Sequence, residues 1–99
     1  MNKQPPFTVP RNGRLRKRAT RCYELSGVLA ANNPEWTLVH GEVDMANGCR
    51  MGHAWVEREG WVYDSVLDQT MLSEEFARRY TSTVYQRWPG GLAVAKALI

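Results

Sequence analysis

Leu25, Val28 and Leu29 recur at the spacing that gathers apolar side chains on one face of a helix, and this predicts a first helix over about Arg21 to Ala31. Thr20 reads as its N-cap and Asn32-Asn33-Pro34 as its stop. From Trp36 the period shortens to two. Val39, Gly41, Val43 and Met45 alternate with polar neighbours, which predicts a strand to Met45, closed by Ala46-Asn47-Gly48 with its hairpin-type Asn-Gly pair. A second strand follows from Cys49 to Glu57. After the turn Arg58-Glu59-Gly60, the aromatic and β-branched run Trp61 to Val66 reads as a third. These make an antiparallel meander. Ser73 ahead of Glu74 and Glu75 opens a short helix to Tyr80, with Phe76 and Tyr80 as its i, i+4 apolar pair. Thr81 to Tyr85 reads as a last strand, and the apolar tail from Leu92 to Ile99 fits either a packed helix or a strand.

The expected fold class is therefore α+β: an N-terminal helix carrying Cys22, packed on a small antiparallel sheet. A chain of 99 residues has room for one domain with a modest core, so any active site lies in a shallow surface groove. We place that domain at residues 20–99, with residues 1–19 as a flexible arm, because Pro5, Pro6, Pro10 and Gly13 disfavour regular structure there. No core contact is expected from the arm.

Charge sharpens the division. Residues 1–21 hold Lys3, Arg11, Arg14, Arg16, Lys17, Arg18 and Arg21 and no acid, so seven of the 13 basic residues precede all ten acidic ones, and the body carries a net charge of −4. Such an arm is able to touch nucleic acid or an anionic surface weakly, although most short basic termini are simply solvated. No run of ~18 apolar residues offers a membrane span, and no apolar stretch at the N-terminus resembles a secretory signal, so a soluble, cytoplasmic protein is expected. In that setting Cys22 and Cys49 are expected as free thiols.

The candidate chemistry starts with Cys22. In the first turn of a helix, unpaired backbone N–H groups and the positive end of the macrodipole favour a thiolate. A thiol near its reference pKa of ~8.5 is mostly protonated at neutral pH, and a neighbouring imidazole is needed to hold it ionised. His53 is the candidate. Strand alternation puts His53, Trp55 and Glu57 on one face, and a two-residue loop at Glu59-Gly60 pairs Arg58 with Trp61, Glu57 with Val62 and Trp55 with Asp64. Asp64 then sits diagonally from His53, ~7–8 Å away at the backbone, within reach of a side-chain hydrogen bond. A carboxylate there fixes the ring's tautomer and favours the imidazolium that protonates a leaving group. N–H groups at the helix start, that of Cys22 included, are placed to hold a developing oxyanion.

The stretch Gly52-His53-Ala54-Trp55-Val56-Glu57, followed by Gly60-Trp61-Val62-Tyr63-Asp64, resembles the transglutaminase-like core, a branch of the papain-like superfamily, over roughly Arg21 to Val66. The resemblance implies a Cys-His-Asp catalytic triad with Cys22 as nucleophile, His53 as base and Asp64 as the orienting carboxylate. It also implies a transglutaminase-like cysteine protease or deamidase that hydrolyses, or an acyltransferase that transfers, a protein or peptide amide through a thioester intermediate. Tyr23 and Trp55 are the candidate substrate-binding aromatics. The sequence departs from the pattern in three places: Ser65 stands where many members have Pro, Thr20-Arg21 and Tyr23 replace the usual Gly and Trp around the nucleophile, and no Gln or Trp just upstream of Cys22 supplies a side-chain oxyanion donor.

Other readings of these residues are structural. Trp36, Trp55, Trp61 and Trp88 are expected mainly in the core. Cys49 and His40 could join Cys22 and His53 around a metal, but their spacing fits no zinc template, and neither metal nor cofactor is expected. The alternative function is a non-catalytic module of the same fold that binds a partner protein or nucleic acid through the groove or the arm.

Overall fold

The computed structural model describes residues 4–10, 21–44 and 47–95. Thr20, the basic residues 11–18 and the end of the apolar tail lie outside the described residues. Eight elements follow one another: α1 (Cys22–Asn32), β1 (Thr37–Asp44), β2 (Arg50–Arg58), β3 (Trp61–Asp64), β4 (Gln69–Leu72), α2 (Ser73–Tyr80), β5 (Thr83–Pro89) and α3 (Gly90–Ala95). The five strands form one antiparallel sheet in the order β4-β3-β2-β1-β5, so the expected meander is present and one strand longer than read, and β5 returns to pair with β1 at its far edge. The fold is α+β, with three helices among the described residues.

The β2–β3 turn decides the site. Glu59 and Gly60 both take positive φ, 47° and 83°, the pair of left-handed residues that a two-residue type I′ hairpin requires. Its consequence is the register Arg58↔Trp61, Glu57↔Val62 and Val56↔Tyr63. Continued by one residue, this sets Asp64 opposite Trp55.

The sheet is covered on both faces. Leu29 and Ala30 of α1 pack on Leu38, Val56, Tyr63 and Trp36, while Phe76 of α2 packs on Val39, Val43, Trp55, Val62 and Met71. Each fully buried side chain of this kind contributes about 1.5–3 kcal/mol. Trp36, Trp55 and Trp61 are buried and Trp88 is half-buried against the first cluster.

Three expectations are corrected. The last strand runs over Thr83–Pro89 rather than Thr81 to Tyr85, because Thr81 adopts the left-handed conformation (φ 47°) that caps α2 and delays the strand. Gln69–Leu72, not assigned from sequence, is a strand paired with β3. The N-terminal segment does touch the core: Phe7 meets Trp36 edge-to-face at 5.5 Å, the Arg58 guanidinium lies 4.3 Å from the Phe7 ring centre, and Val9 packs on the same cluster. Extended chain needs no regular structure to bury an aromatic side chain. Among the described residues no helix is long and apolar enough to cross a membrane.

Candidate active site

Cys22 is the first residue of α1, and the helix begins without a side-chain cap: Arg21 occupies the cap position and its guanidinium turns to Glu24 at 2.9 and 3.0 Å. The first helical bond runs from Leu25 N–H to Arg21 C=O, so the N–H groups before it are left for other acceptors. One of them, from Tyr23, donates to the Cys22 sulfur, as does the N–H of Ala54 on β2. Ladder parity explains the second. In a two-residue hairpin closed by Arg58 and Trp61, alternate residues of β2 turn their N–H toward β3, namely Arg58, Val56 and Ala54. Strand β3 stops at Asp64, one residue short of Ala54, and the Ala54 N–H faces the gap in which the sulfur sits.

The ring of His53 meets the sulfur from the same strand. Its Nε2 donates to Asp64 Oδ2 at 2.5 Å, which leaves Nδ1 for the thiol, and a hydrogen bond joins His53 and Cys22. Asp64 is 1 % exposed. Its other oxygen, Oδ1, accepts from the N–H of Val66 at 2.9 Å and of Leu67 at 3.2 Å, so the turn that begins at Asp64 grips its own carboxylate. A carboxylate held at both oxygens cannot swing away from the imidazole.

The electrostatics follow from these contacts. Burial alone pulls the His53 imidazole down, but the hydrogen bonds and charges of Asp64 and Cys22 outweigh it and push its pKa up to about 9. Burial likewise pushes the Cys22 thiol up, and is outweighed by the hydrogen bond and charge of His53 and by the two backbone N–H donors, so the thiol lies below its ordinary value. Both shifts favour the same species at neutral pH, thiolate beside imidazolium, and the two groups titrate as a pair. The His53 side chain is 12 % exposed, and the pair is shielded without being sealed.

The structure thus brings together Cys22, His53 and Asp64. It separates the two aromatic candidates. Trp55 is fully buried between Val62 and Phe76, with its indole N–H donating to Glu57 at 3.1 Å, and has no surface to offer a substrate. The alternation that aims His53 and Asp64 at each other also drives Trp55 under α2. Tyr23 is 44 % exposed beside the sulfur, its ring edge-to-face with His40 at 4.8 Å. His40 is half-buried between Tyr23 and Trp88, and burial lowers its pKa. Cys49 is exposed and, like Cys22, a free thiol. No group of three or more potential ligands among the described residues is placed to hold a metal ion.

Sequence reasoning did not find the Ala54 N–H or the Val66 and Leu67 N–H groups. They are backbone donors, and where they point depends on where β3 ends. Comparison of the chain with protein-family models, curated proteins and solved structures gives no match.

Proposed function

We propose that this chain is a cysteine-dependent acyl-transfer enzyme with a transglutaminase- or papain-like core and a Cys22-His53-Asp64 triad. The reading is carried by one observation: a thiol at the first residue of a helix shares a hydrogen bond with an imidazole whose far nitrogen is fixed by a buried, doubly anchored carboxylate. In the proposed cycle the Cys22 thiolate attacks an amide or ester carbonyl. The N–H groups at the start of α1 stabilise the oxyanion, and His53 gives its proton to the leaving atom as the thioester forms. Water, activated by the now neutral His53, returns the acid and the free thiol. Hydrolysis of a protein or peptide substrate is favoured over cross-linking, since water is always present and no feature of the site marks an amine acceptor.

A thiol probe tests the reading. Iodoacetamide at pH 7 is expected to alkylate Cys22 at least tenfold faster than exposed Cys49, and His53→Ala to abolish the difference, read by peptide mass spectrometry. Equal, slow labelling of the two cysteines would instead leave a binding module of the same architecture.

A further inference from the structure

On the face of the sheet that α2 covers, a cavity of about 190 Å³ opens beside the His53-Asp64 pair. Val43, Val66, Leu67, Phe76 and Tyr80 supply its apolar walls, and the His53 ring is part of its lining. Two carboxylates also reach it, and neither is free to recruit a cation. Asp64 is engaged by His53, Val66 and Leu67, and Asp44 by the Arg50 guanidinium at 3.0 Å. What remains is a pocket for an apolar group. Aliphatic and aromatic cavities of about 150 Å³ accept a benzene ring, so this one has room for a Leu- or Phe-sized side chain, entering past Leu67, which is 40 % exposed.

Its position relative to the chemistry gives the occupant. His53 lines the cavity and bonds to the sulfur, whereas Cys22 does not line it. The acyl carbon of a substrate must lie at the sulfur, and the departing atom must lie where the imidazole can protonate it. A pocket walled by the imidazole and not by the thiol therefore serves the departing half. The geometry points to this cavity as the subsite for the leaving half of the acyl donor, taking one apolar side chain of the residue whose amine departs. The assignment rests on the triad reading and deepens it, from any peptide amide to one followed by an apolar residue.

Thioesters that vary only the leaving half test it: S-methyl, S-isobutyl and S-benzyl thioacetate. In each, the bond from Cys22 Sγ to the acetyl carbon forms, the original C–S bond breaks, and the His53 proton goes to the departing thiolate. Burial of the benzyl group in the cavity is expected to raise acetylation of Cys22 about 10- to 100-fold for the benzyl over the methyl ester, with no such ratio at Cys49 in the same protein. Leu67→Asp is expected to bring the Cys22 ratio down to that of Cys49. Equal ratios at the two cysteines, or an equal gain when the phenyl group is moved to the acyl half in S-methyl phenylethanethioate, PhCH2C(O)SCH3, would overturn the assignment. A second measurement needs no catalysis. N-benzylacetamide titrated into the protein is expected to shift the amide resonances of Val66, Leu67 and Tyr80, and no shift at millimolar concentration overturns the subsite whatever the thioesters show. Shifts there with Cys22 acetylated no faster than Cys49 would overturn the triad reading, and with it the leaving-group role.

Discussion

Asp64→Asn isolates the contribution of charge to the site. The side chain keeps its size in a position that is 1 % exposed, and the amide oxygen still accepts from Val66 and Leu67, so the turn after β3 is expected to survive. The amide nitrogen, however, now donates to His53 Nε2. That fixes the neutral tautomer with the proton on Nδ1, the wrong nitrogen for accepting a proton from the Cys22 thiol. It also leaves burial, the largest influence on His53, opposed only by Cys22, so the ring is expected to titrate well below its value of about 9 in the parent. At pH 7 the imidazolium then falls from nearly all of the population, its share in the parent, to a smaller one. Cys22, pushed up by burial and deprived of its cation, reverts toward the thiol. Alkylation of Cys22 at pH 7 is expected to slow by about tenfold, and acyl transfer by about 10²–10⁴, since tautomer and general-acid function fail together. The assay pairs an NMR titration of the His53 ring with iodoacetamide labelling from pH 5 to 10, and urea unfolding as the control for folding. A variant that still titrates near 9, or labels within twofold of the parent, would refute the reasoning.

Stability should carry the signature of the same pair. With Cys22→Ser removing the partner thiol, His53 keeps a raised pKa through Asp64, so the stabilisation is complete below pH 6.5 and fades as pH rises through the folded value. The full rise from 6.5 to about 9 corresponds to roughly 3 kcal/mol, shared between Asp64 and Cys22 in the parent; a urea midpoint in Cys22→Ser that stays flat or climbs between pH 6.5 and 9.5 would contradict this. Phe7→Ala removes an edge-to-face contact and the Arg58 stacking partner, at a cost of about 1–2 kcal/mol, seen as a fall in Tm of roughly 4–16 °C for a domain of this size; an unchanged Tm would restore the picture of an arm without core contacts. Gly41→Ala places a Cβ 2.1 Å from the Thr83 carbonyl oxygen and 2.9 Å from the Trp55 ring, where β1 carries the irregularity in its pairing with β5. A backbone atom cannot step aside, so a loss of about 3 kcal/mol or more is expected in urea unfolding, and a variant as stable as the parent would show that β5 does not approach so closely.

How much of this was legible in the residues depends on the range of the interaction that fixed each part. The meeting of His53 and Asp64 was legible because its decisive step is local: Glu59-Gly60 sets a two-residue turn, and strand parity then carries Asp64 to the face of His53 with no knowledge of the rest of the chain. β5 was legible only as apolar and β-branched, because its partner β1 lies some forty residues away and its start depends on the left-handed cap at Thr81. Gln69–Leu72 has too few residues for a period to show and owes its conformation to pairing with β3. Trp55 was misread as a substrate contact for a related reason, since the aromatic spacing names a face but not the helix that will cover it.

The Ala54 N–H is the most instructive omission. Nothing about alanine marks it, yet it and Asp64 are set by one event, the departure of the chain from the β2 ladder after residue 64. That departure forms the turn whose N–H groups hold the carboxylate, and by ending β3 it leaves the Ala54 donor facing the sulfur instead of a strand partner. The His53 ring and the Cys22 sulfur therefore receive fixed partners from a single break in the sheet. A longer β3 would satisfy Ala54 within the ladder and loosen Asp64 at the same time.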